Sequence, residues 1–195
     1  MTEFYIVRHG QTLFNVLRRV QGWCDSPLTN EGIAQAKRLN ETMKKVPFDV
    51  AFSSTQERAM DTLHYILEGR NVDIHYCKGL KEVYFGKLEG EYASRVFITG
   101  NEYPNGFEEA GGESIDQALE RYLHTLKEIA SMYPNAKVLI VSHGTMLTKL
   151  LQKMVPEFRD KKGDVGTLVP NGSLTKINYA NHRFEVEYYS DTRYL

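Results

Sequence analysis

The sequence has only two cysteines, Cys24 and Cys77, among its 195 residues. Two cysteines are too few for a disulfide framework or a thiolate metal site. No run approaches the about 20 apolar residues that a membrane-spanning helix needs. Met1–Phe4 starts a strand at once, without the charged leader and long apolar stretch of a signal peptide. We therefore expect a cytoplasmic protein in a reducing environment, with no membrane partner.

An excess of positive charge is also missing. Lysine and arginine number 24 against 25 aspartates and glutamates, which gives a formal net charge of -1. Nucleic-acid binding needs a basic surface, so no nucleic-acid partner is expected and any positive potential must be local. No linker, repeat or low-complexity segment interrupts the chain, and its length suffices for one buried core. We expect one domain over residues 1–195, and the oligomeric state stays open.

Apolar runs with the character of strands alternate with amphipathic segments along most of the chain. Strands are predicted at residues 1–8, 48–52, 72–76 and 137–141. Helices are predicted after an N-cap at Thr29, after a cap at Ser53-Ser54, from Ser114 to about Met132, and from Thr145 to Val155. Two alternating runs at 175–179 and 184–188 predict an edge hairpin. The pattern is typical of an α/β fold.

One segment, at about 91–112, does not follow this alternation. Its periodicity fades, and glycine and proline interrupt a mixture of aromatic residues and glutamates. We predict that it forms an excursion over the functional site. The aromatic residues in and near it suit a sugar, nucleotide or aryl leaving group, or simple packing: Tyr84, Tyr92, Phe97, Tyr103 and Phe107.

Two short stretches look alike. Ile6-Val7-Arg8-His9-Gly10 and Ile140-Val141-Ser142-His143-Gly144 each end an apolar run at a histidine and a glycine. Open α/β sheets bind their ligands at the carboxyl ends of the strands, so both imidazoles are expected there. Arg8, His9, Thr12 and Asn15 fall within one strand-to-loop turn, and this cluster of donors predicts an anion site.

The residue types at these strand ends fit phosphoryl transfer. A neutral imidazole such as His9 attacks phosphorus well. The guanidinium groups of Arg8 and Arg58 match the equatorial oxygens of a transferring phosphoryl group, and a protonated His143 would add a third positive donor. Asn15 would complete this set with its amide, and together these groups could do what Mg²⁺ does elsewhere.

A carboxylic acid must also protonate the departing oxygen, because an alkoxide is a poor leaving group at neutral pH. Glu82 is the candidate for this role, and Glu89 is a weaker one. Once ionised, the same carboxylate could activate the water that cleaves a phosphohistidine.

Other interpretations of the same residues stay open at this point. His9, His143 and Glu82 could form a two-histidine, one-carboxylate metal site, although two neighbouring arginines argue against a dication there. The chain could also be a phosphate-ester binding module without turnover.

Arg18 and Arg19 are interpreted as a solvated pair that could contact a second anionic group, and Trp23 is as suited to packing as to binding. Asn171-Gly172 is interpreted as a turn only.

Five separated motifs, in order, resemble the histidine phosphatase superfamily. They are Arg8-His9-Gly10-Gln11-Thr12 with Asn15, Ser53-Ser54 with Arg58-Ala59 and Thr62, Glu82 with Phe85-Gly86, Glu89-Gly90, and Ser142-His143-Gly144. Further motifs resemble its phosphoglycerate-mutase-like branch: Gln21-Gly22, Asp25-Ser26-Pro27-Leu28-Thr29, Gly32 with Gln35-Ala36, and Gly111-Gly112-Glu113-Ser114. The resemblance spans essentially the whole chain.

This resemblance implies a three-layer α/β/α sandwich on a mostly parallel sheet. It also implies that His9 is phosphorylated without any metal or other cofactor. It assigns Arg8, Arg58 and His143 to the phosphate pocket with Asn15 beside them, and Glu82 to proton transfer. Gln21 and Gly22 would sit at the rim of the substrate site.

Hydrolysis of small phosphorylated metabolites is favoured over a phosphoglycerate mutase reaction. A mutase needs extra cations and a lid that excludes water around its doubly anionic intermediate. Between Glu91 and Gly112, however, the only basic residue is Arg95, set against Glu91, Glu102, Glu108 and Glu109.

Overall fold

The computed structural model describes residues 1–97, 106–159, 161 and 168–195. The strands are β1 (Thr2–Arg8), β2 (Val50–Ser53), β3 (Ile74–Tyr76), β4 (Lys137–Ser142), β5 (Leu174–Ala180) and β6 (Arg183–Asp191). The helices are α1 (Leu13–Val16), α2 (Asn30–Thr42), α3 (Glu57–Ile66), α4 (Ala93–Val96), α5 (Ile115–Met132) and α6 (Gly144–Met154). Single 3₁₀ turns lie at Lys78–Leu80, Gly86–Leu88, Glu108–Ala110 and Pro156–Phe158.

The six strands form one sheet in the order β3-β2-β4-β1-β5-β6. The first four are parallel, whereas β5 and β6 form the antiparallel hairpin at one edge. Strands β1 and β4 are neighbours, and their register pairs Arg8 with Ser142. The residue that follows each of these, His9 and His143, therefore lies beside the other at the carboxyl edge of the sheet.

Alternate residues of the central strands face two separate apolar layers. In β1, Phe4 and Ile6 contact the layer that contains α5 and α6, while Tyr5 and Val7 contact the layer that contains α2 and α3. Because the period of a strand is two, each strand contributes side chains to both layers. Helices thus cover both faces of the sheet, and the predicted three-layer α/β/α sandwich with its edge hairpin is confirmed.

Local side-chain caps explain where two of the helices begin. Thr29 accepts from the backbone N–H of Gly32 at 3.1 Å and starts α2. Ser114 and Gln117 form a reciprocal capping box at the start of α5. These serine and threonine caps satisfy N–H groups that a helix leaves unpaired at its amino end.

The predicted cap of α3 is wrong. The helix begins at Glu57 with Gln56 as its N-cap residue, and no side chain of the Ser53-Ser54 pair caps it. Its amino end is satisfied instead by the carboxylate of Asp25, which accepts from the N–H of Glu57 at 2.8 Å. Ser54 is thereby available for another contact.

Part of the predicted excursion at 91–112 can be located. It contains α4, the 3₁₀ turn at Glu108–Ala110, and Phe97 and Phe107, which pack against Phe85. Four residues of this segment lie outside the described residues: Gly100 and Pro104, which are among the interrupting glycines and prolines, and Glu102 and Tyr103. In the part of the chain that the structure describes, no helix combines the length and apolarity needed to cross a bilayer.

Candidate active site

His9 follows β1 directly and is 97% buried, with 3% of its surface exposed. Its Nδ1 lies 2.8 Å from the carbonyl oxygen of Gly10, and its Nε2 lies 3.3 Å from Nε of Arg58. A carbonyl only accepts and a guanidinium only donates, so Nδ1 must carry the proton and Nε2 the lone pair. The partners of the ring thus select the tautomer with a nucleophilic Nε2.

The turn after His9 needs glycine because two segments of backbone meet there. A Cβ on Gly10 would lie 2.5 Å from the carbonyl oxygen of Gly32 at the start of α2. The N–H of Gly10 donates to Oγ1 of Thr62 on α3 at 3.0 Å. Helices α2 and α3 therefore hold the His9 backbone from both sides.

Arg58 lies in the first turn of α3, and its side chain is almost fully buried. Nη1 donates to the carbonyl of Cys24 at 2.9 Å and to Oδ1 of Asp25 at 2.6 Å, and Nη2 donates to the carbonyl of Gly22 at 2.8 Å. The loop at 22–25 thus holds the guanidinium in one plane, with Nε directed at His9. Asp25 both caps α3 and pairs with Arg58.

Arg8 and Asn15 are held by a segment far along the chain. Nη1 of Arg8 donates to the carbonyl of Val169 at 2.5 Å. The amide oxygen of Asn15 accepts from Nδ2 of Asn171 at 3.1 Å and from the N–H of Thr12 at 3.0 Å. Because its oxygen is committed to these donors, Asn15 has its amide NH₂ left for a ligand.

His143 lies beside His9, with 5.3 Å between the ring centroids, and is fully buried. Its Nε2 is 2.6 Å from Oγ of Ser54, the residue that does not cap α3. Its Nδ1 is buried and has no hydrogen-bond partner among the described residues. His143 is not among the described residues that line the cavity, but its ring packs beside that of His9, which does line it.

Both rings are held in the neutral state. Burial lowers the pKa of His9 well below its ordinary value, and the positive charges of Arg58 and Arg8 lower it further. Burial likewise lowers the pKa of His143, with added repulsion from Arg58. The neutral form suits His9 as a nucleophile. The positive charge expected on His143 would need an anion beside it.

Glu82 faces the same cavity from the segment that follows β3. Its Oε1 accepts from the N–H groups of Val83 at 2.9 Å and Met146 at 3.0 Å, and its Oε2 accepts from the N–H of Thr145 at 2.9 Å and from no other described residue. The carboxylate thus lies at the amino end of α6, where the helix dipole favours an acidic group. Its orientation is held from three directions.

These side chains surround a cavity of about 250 Å³. Its wall includes Arg8, His9, Asn15, Gln21, Gly22, Arg58 and Glu82. The charged residues of the described lining are four arginines and one glutamate: Arg8, Arg18, Arg19, Arg58 and Glu82. The lining also has an apolar part, formed by Phe14, Val20, Phe85, Ala93 and Phe97. The site is therefore strongly positive although the whole chain is nearly neutral.

Several residues named from the sequence make contacts that hold the site together. Glu89 accepts from the N–H groups of Trp23 at 2.6 Å and Cys24 at 2.8 Å, so it fixes the loop that orients Arg58. The amide of Gln21 is shared between Thr12 and Ser26. Trp23 packs against Tyr84 with 4.8 Å between ring centroids and is not part of the described lining.

Sequence reasoning missed four contributors. Gln56 links Glu82 to the loop at Gly22, because its Oε1 accepts from the N–H of Glu82 at 3.0 Å while its Nε2 donates to the carbonyl of Gly22. Asp25, Ser54 and Asn171 are the other three. Asn171 donates to the carbonyl of His9 at 3.0 Å, so Asn171-Gly172 is more than a turn. Asp25 and Ser54 stood in family-like motifs, which was the available signal, whereas Asn171 had none.

The two-histidine, one-carboxylate metal site finds no support in this geometry. Nε of Arg58 donates to the same His9 nitrogen that a metal would need. Among the described residues, no group of three or more His, Cys, Asp and Glu side chains is arranged to hold a metal ion.

Comparison with known proteins gives the same family as the motifs. The family model described as "Histidine phosphatase superfamily (branch 1)" matches residues 4–192. A Bacillus subtilis (strain 168) protein named "Uncharacterized phosphatase PhoE" is 30% identical, over 100% of this chain and 97% of that protein. The "2,3-bisphosphoglycerate-dependent phosphoglycerate mutase 2" of Gloeobacter violaceus is 34% identical, over 79% of this chain and 76% of that protein. The solved structure "Bacillus stearothermophilus YhfR" superposes with a TM-score of 0.86 at 27% identity, covering 100% of this chain and 99% of that one.

Proposed function

The chain belongs to the histidine phosphatase superfamily, whose members related to it include phosphatases and phosphoglycerate mutases, and we propose that it hydrolyses small phosphomonoesters through a phosphohistidine on Nε2 of His9. The reaction is proposed to need no metal ion. The observation that carries this proposal is the hydrogen bonding of His9, which puts a proton on Nδ1 and a lone pair on Nε2 beside Arg58.

In the first proposed step, the lone pair of His9 Nε2 attacks phosphorus while the bond from phosphorus to the ester oxygen breaks. Arg58 transfers its Nε hydrogen bond from His9 to a phosphoryl oxygen, and Arg8 adds a second guanidinium. His143 Nδ1, which is buried without a partner among the described residues, gains one by donating to the same anion. Buried polar atoms are normally satisfied, so this contact would also stabilise the bound state.

Glu82 is proposed to give its proton to the departing ester oxygen in this step. Oε1 already accepts two backbone N–H groups whereas Oε2 accepts one, so Oε2 has the lone pair that would carry this proton. In the second step the ionised Glu82 takes a proton from water as the water oxygen attacks phosphorus. The bond from phosphorus to Nε2 breaks, inorganic phosphate leaves, and His9 returns to its neutral form.

The described part of the excursion supports hydrolysis over mutase transfer. Arg95, the only basic residue between Glu91 and Gly112, forms an ion pair with Glu91 at 3.5 Å and is not in the described lining. Glu108 and Glu109 are exposed. A mutase would need cations in this region to hold its doubly anionic intermediate, and the excursion offers a net negative charge.

The test is a hydrolysis assay with ³²P-labelled p-nitrophenyl phosphate after treatment with a chelator, followed by a denaturing quench. We expect turnover and a protein-bound label that is labile in acid and stable in base. The label should be absent in His9→Ala and present in His64→Ala, the matched control from a histidine outside the cavity. Label that persists in His9→Ala, or activity that needs added divalent metal, would contradict the proposal.

Two further results would favour the other interpretations. Transfer of the labelled phosphoryl group to phosphoglycerate, with little release to water, would identify a mutase. Tight binding of phosphomonoesters with neither label nor turnover would identify a binding module.

A further inference from the structure

The cavity has more positive charge than one phosphoryl group uses. Arg8 and Arg58 are buried beside His9, which places two guanidinium groups at the phosphoryl site. Arg18 and Arg19 also line the cavity, but Arg18 is exposed and Arg19 is half-buried, so they belong to its mouth. Glu82 is the only acidic residue in the described lining. The second pair of arginines is therefore not neutralised by acidic groups in that lining.

The backbone at Arg18-Arg19 is held as a short ribbon against the segment at 90–93. The N–H of Ala93 donates to the carbonyl of Arg18 at 2.8 Å, and the N–H of Val20 donates to the carbonyl of Glu91 at 2.9 Å. Arg19 and Tyr92 pair as an antiparallel bridge. A ribbon bonded at successive positions has little freedom, so both arginines are presented from a fixed position at the mouth.

The two side chains differ in what they already contact. Nη1 of Arg19 donates to the carbonyl of Gly90, and its guanidinium lies 4.3 Å from the centre of the Tyr92 ring. Arg19 is thus used to hold the ribbon. The guanidinium of Arg18 has no hydrogen bond or ion pair within the part of the chain that the structure describes.

The backbone of Arg18 adds an independent observation. Its φ is 52°, in the left-handed region that residues other than glycine and asparagine rarely adopt. A strained conformation of this kind persists only where surrounding contacts enforce it, and it is often found at ligand-binding positions. Here an arginine occupies a position where glycine would cost less free energy, and its unpaired charge lies at the mouth of the cavity.

We propose that Arg18, positioned by the ribbon and by Arg19, binds a second oxyanion of the substrate, a carboxylate or a second phosphate on the leaving group. The proposal deepens the phosphatase function and rests on it. A guanidinium presents two parallel donors to either oxyanion. The substrate class would then be small phosphomonoesters whose alcohol part is itself an acid.

Two matched pairs of substrates test this proposal. The first is 3-phosphoglycerate against glycerol 3-phosphate, which differ by a carboxylate. The second is fructose 1,6-bisphosphate against fructose 6-phosphate, which differ by a phosphate. For each pair the measurement is the ratio of kcat/KM for the ester with two oxyanion groups over that for the ester with one, in the wild type, Arg18→Asn, Arg18→Lys and Arg95→Gln.

Arg18→Asn removes the charge with a residue that adopts positive φ readily, so the ribbon is expected to keep its conformation. We expect its ratio to fall about tenfold in one pair, with a partial fall in Arg18→Lys, which has charge but no fork. Arg95→Gln is the matched control, because Arg95 is exposed on α4 near the same ribbon but outside the described lining. The pair that responds identifies the second anion as a carboxylate or a phosphate.

Failure of this proposal can be separated from failure of the phosphatase function. If all four proteins hydrolyse these esters and neither ratio changes in Arg18→Asn, the second-anion site is refuted while the phosphatase function stands. If none of the esters is hydrolysed, the phosphatase function fails, and equilibrium binding of the same pairs replaces kcat/KM. Tighter binding of the member with two oxyanion groups that is lost in Arg18→Asn would then support the site, and equal binding would refute it.

Discussion

Lowering the pH from 7.5 to 5.5 should remove a large part of the free energy of unfolding, because His9 and His143 are buried as neutral rings. Burial lowers the pKa of both well below its ordinary value, and Arg58 lowers both further. In the unfolded chain each ring regains a pKa of about 6.5. Below that pH the unfolded state binds protons that the folded state does not. The folded state therefore loses stability as the pH falls through about 6.5, and none of this loss occurs well above it.

The magnitude follows from the linkage relation. A histidine that stays neutral in the folded state lowers the free energy of unfolding by about 1.4 kcal/mol between pH 7.5 and 5.5. Two such histidines therefore lower it by about 2.7 kcal/mol. Domains of this kind are stable by about 5–15 kcal/mol, which makes the loss a substantial fraction of the total. Ordinary carboxylates titrate near pH 4 and contribute little in this window.

The assay is urea unfolding at the two pH values, followed by the fluorescence of Trp23, the only tryptophan. Buffers should contain no phosphate, since an anion in the cavity would favour protonation of the rings. His9→Asn and His143→Asn should each lose about half of the pH-dependent change, whatever their stability at neutral pH. His182→Asn is the control, because His182 is exposed. A full pH-dependent loss in both single variants would refute the reasoning.

Two further predictions concern the residues that orient and protonate. Asp25→Ala should lower the free energy of unfolding by about 2 kcal/mol, because it removes a charge-assisted hydrogen bond to Arg58 and the cap of α3. It should also lower kcat about tenfold, because Arg58 loses its orientation. Asp61→Ala on the same helix is the control, and unchanged kcat in Asp25→Ala would count against this role. Glu82→Gln should lower kcat/KM for an alkyl phosphate by about 10²- to 10⁴-fold and for p-nitrophenyl phosphate much less. Equal losses for the two esters would remove Glu82 from the acid role.

The elements that sequence reasoning located correctly are those whose signal is local. The apolar run at 137–141, the long amphipathic stripe of α5 and the alternation of the terminal hairpin each depend on residues within one segment. The pairing of the two strand ends was also within reach, because parallel strands present their carboxyl ends at one edge of a sheet. That rule alone predicts that His9 and His143 lie at the same edge of the sheet.

The assignments that failed or were missing depend on partners far along the chain. Ser53-Ser54 has the composition of a helix cap, yet Asp25 caps α3 and Ser54 contacts His143 instead. Asn171 has the local signature of a turn, and only the folded chain brings its amide to the carbonyl of His9. Local composition cannot reveal which of several possible donors reaches an acceptor, since that is decided by packing.

The sequence by itself determined the kind of fold and the set of groups that could handle a phosphoryl anion, because both depend on residue types and their spacing. Tertiary structure decided which of these groups line the cavity and which support the groups that do. It placed Glu89 against the loop at 22–25 rather than in the described lining of the cavity, and it put Arg18 at the mouth of the cavity. It also set the tautomer and the neutral state of His9, since only burial and the two partners of the ring can do so.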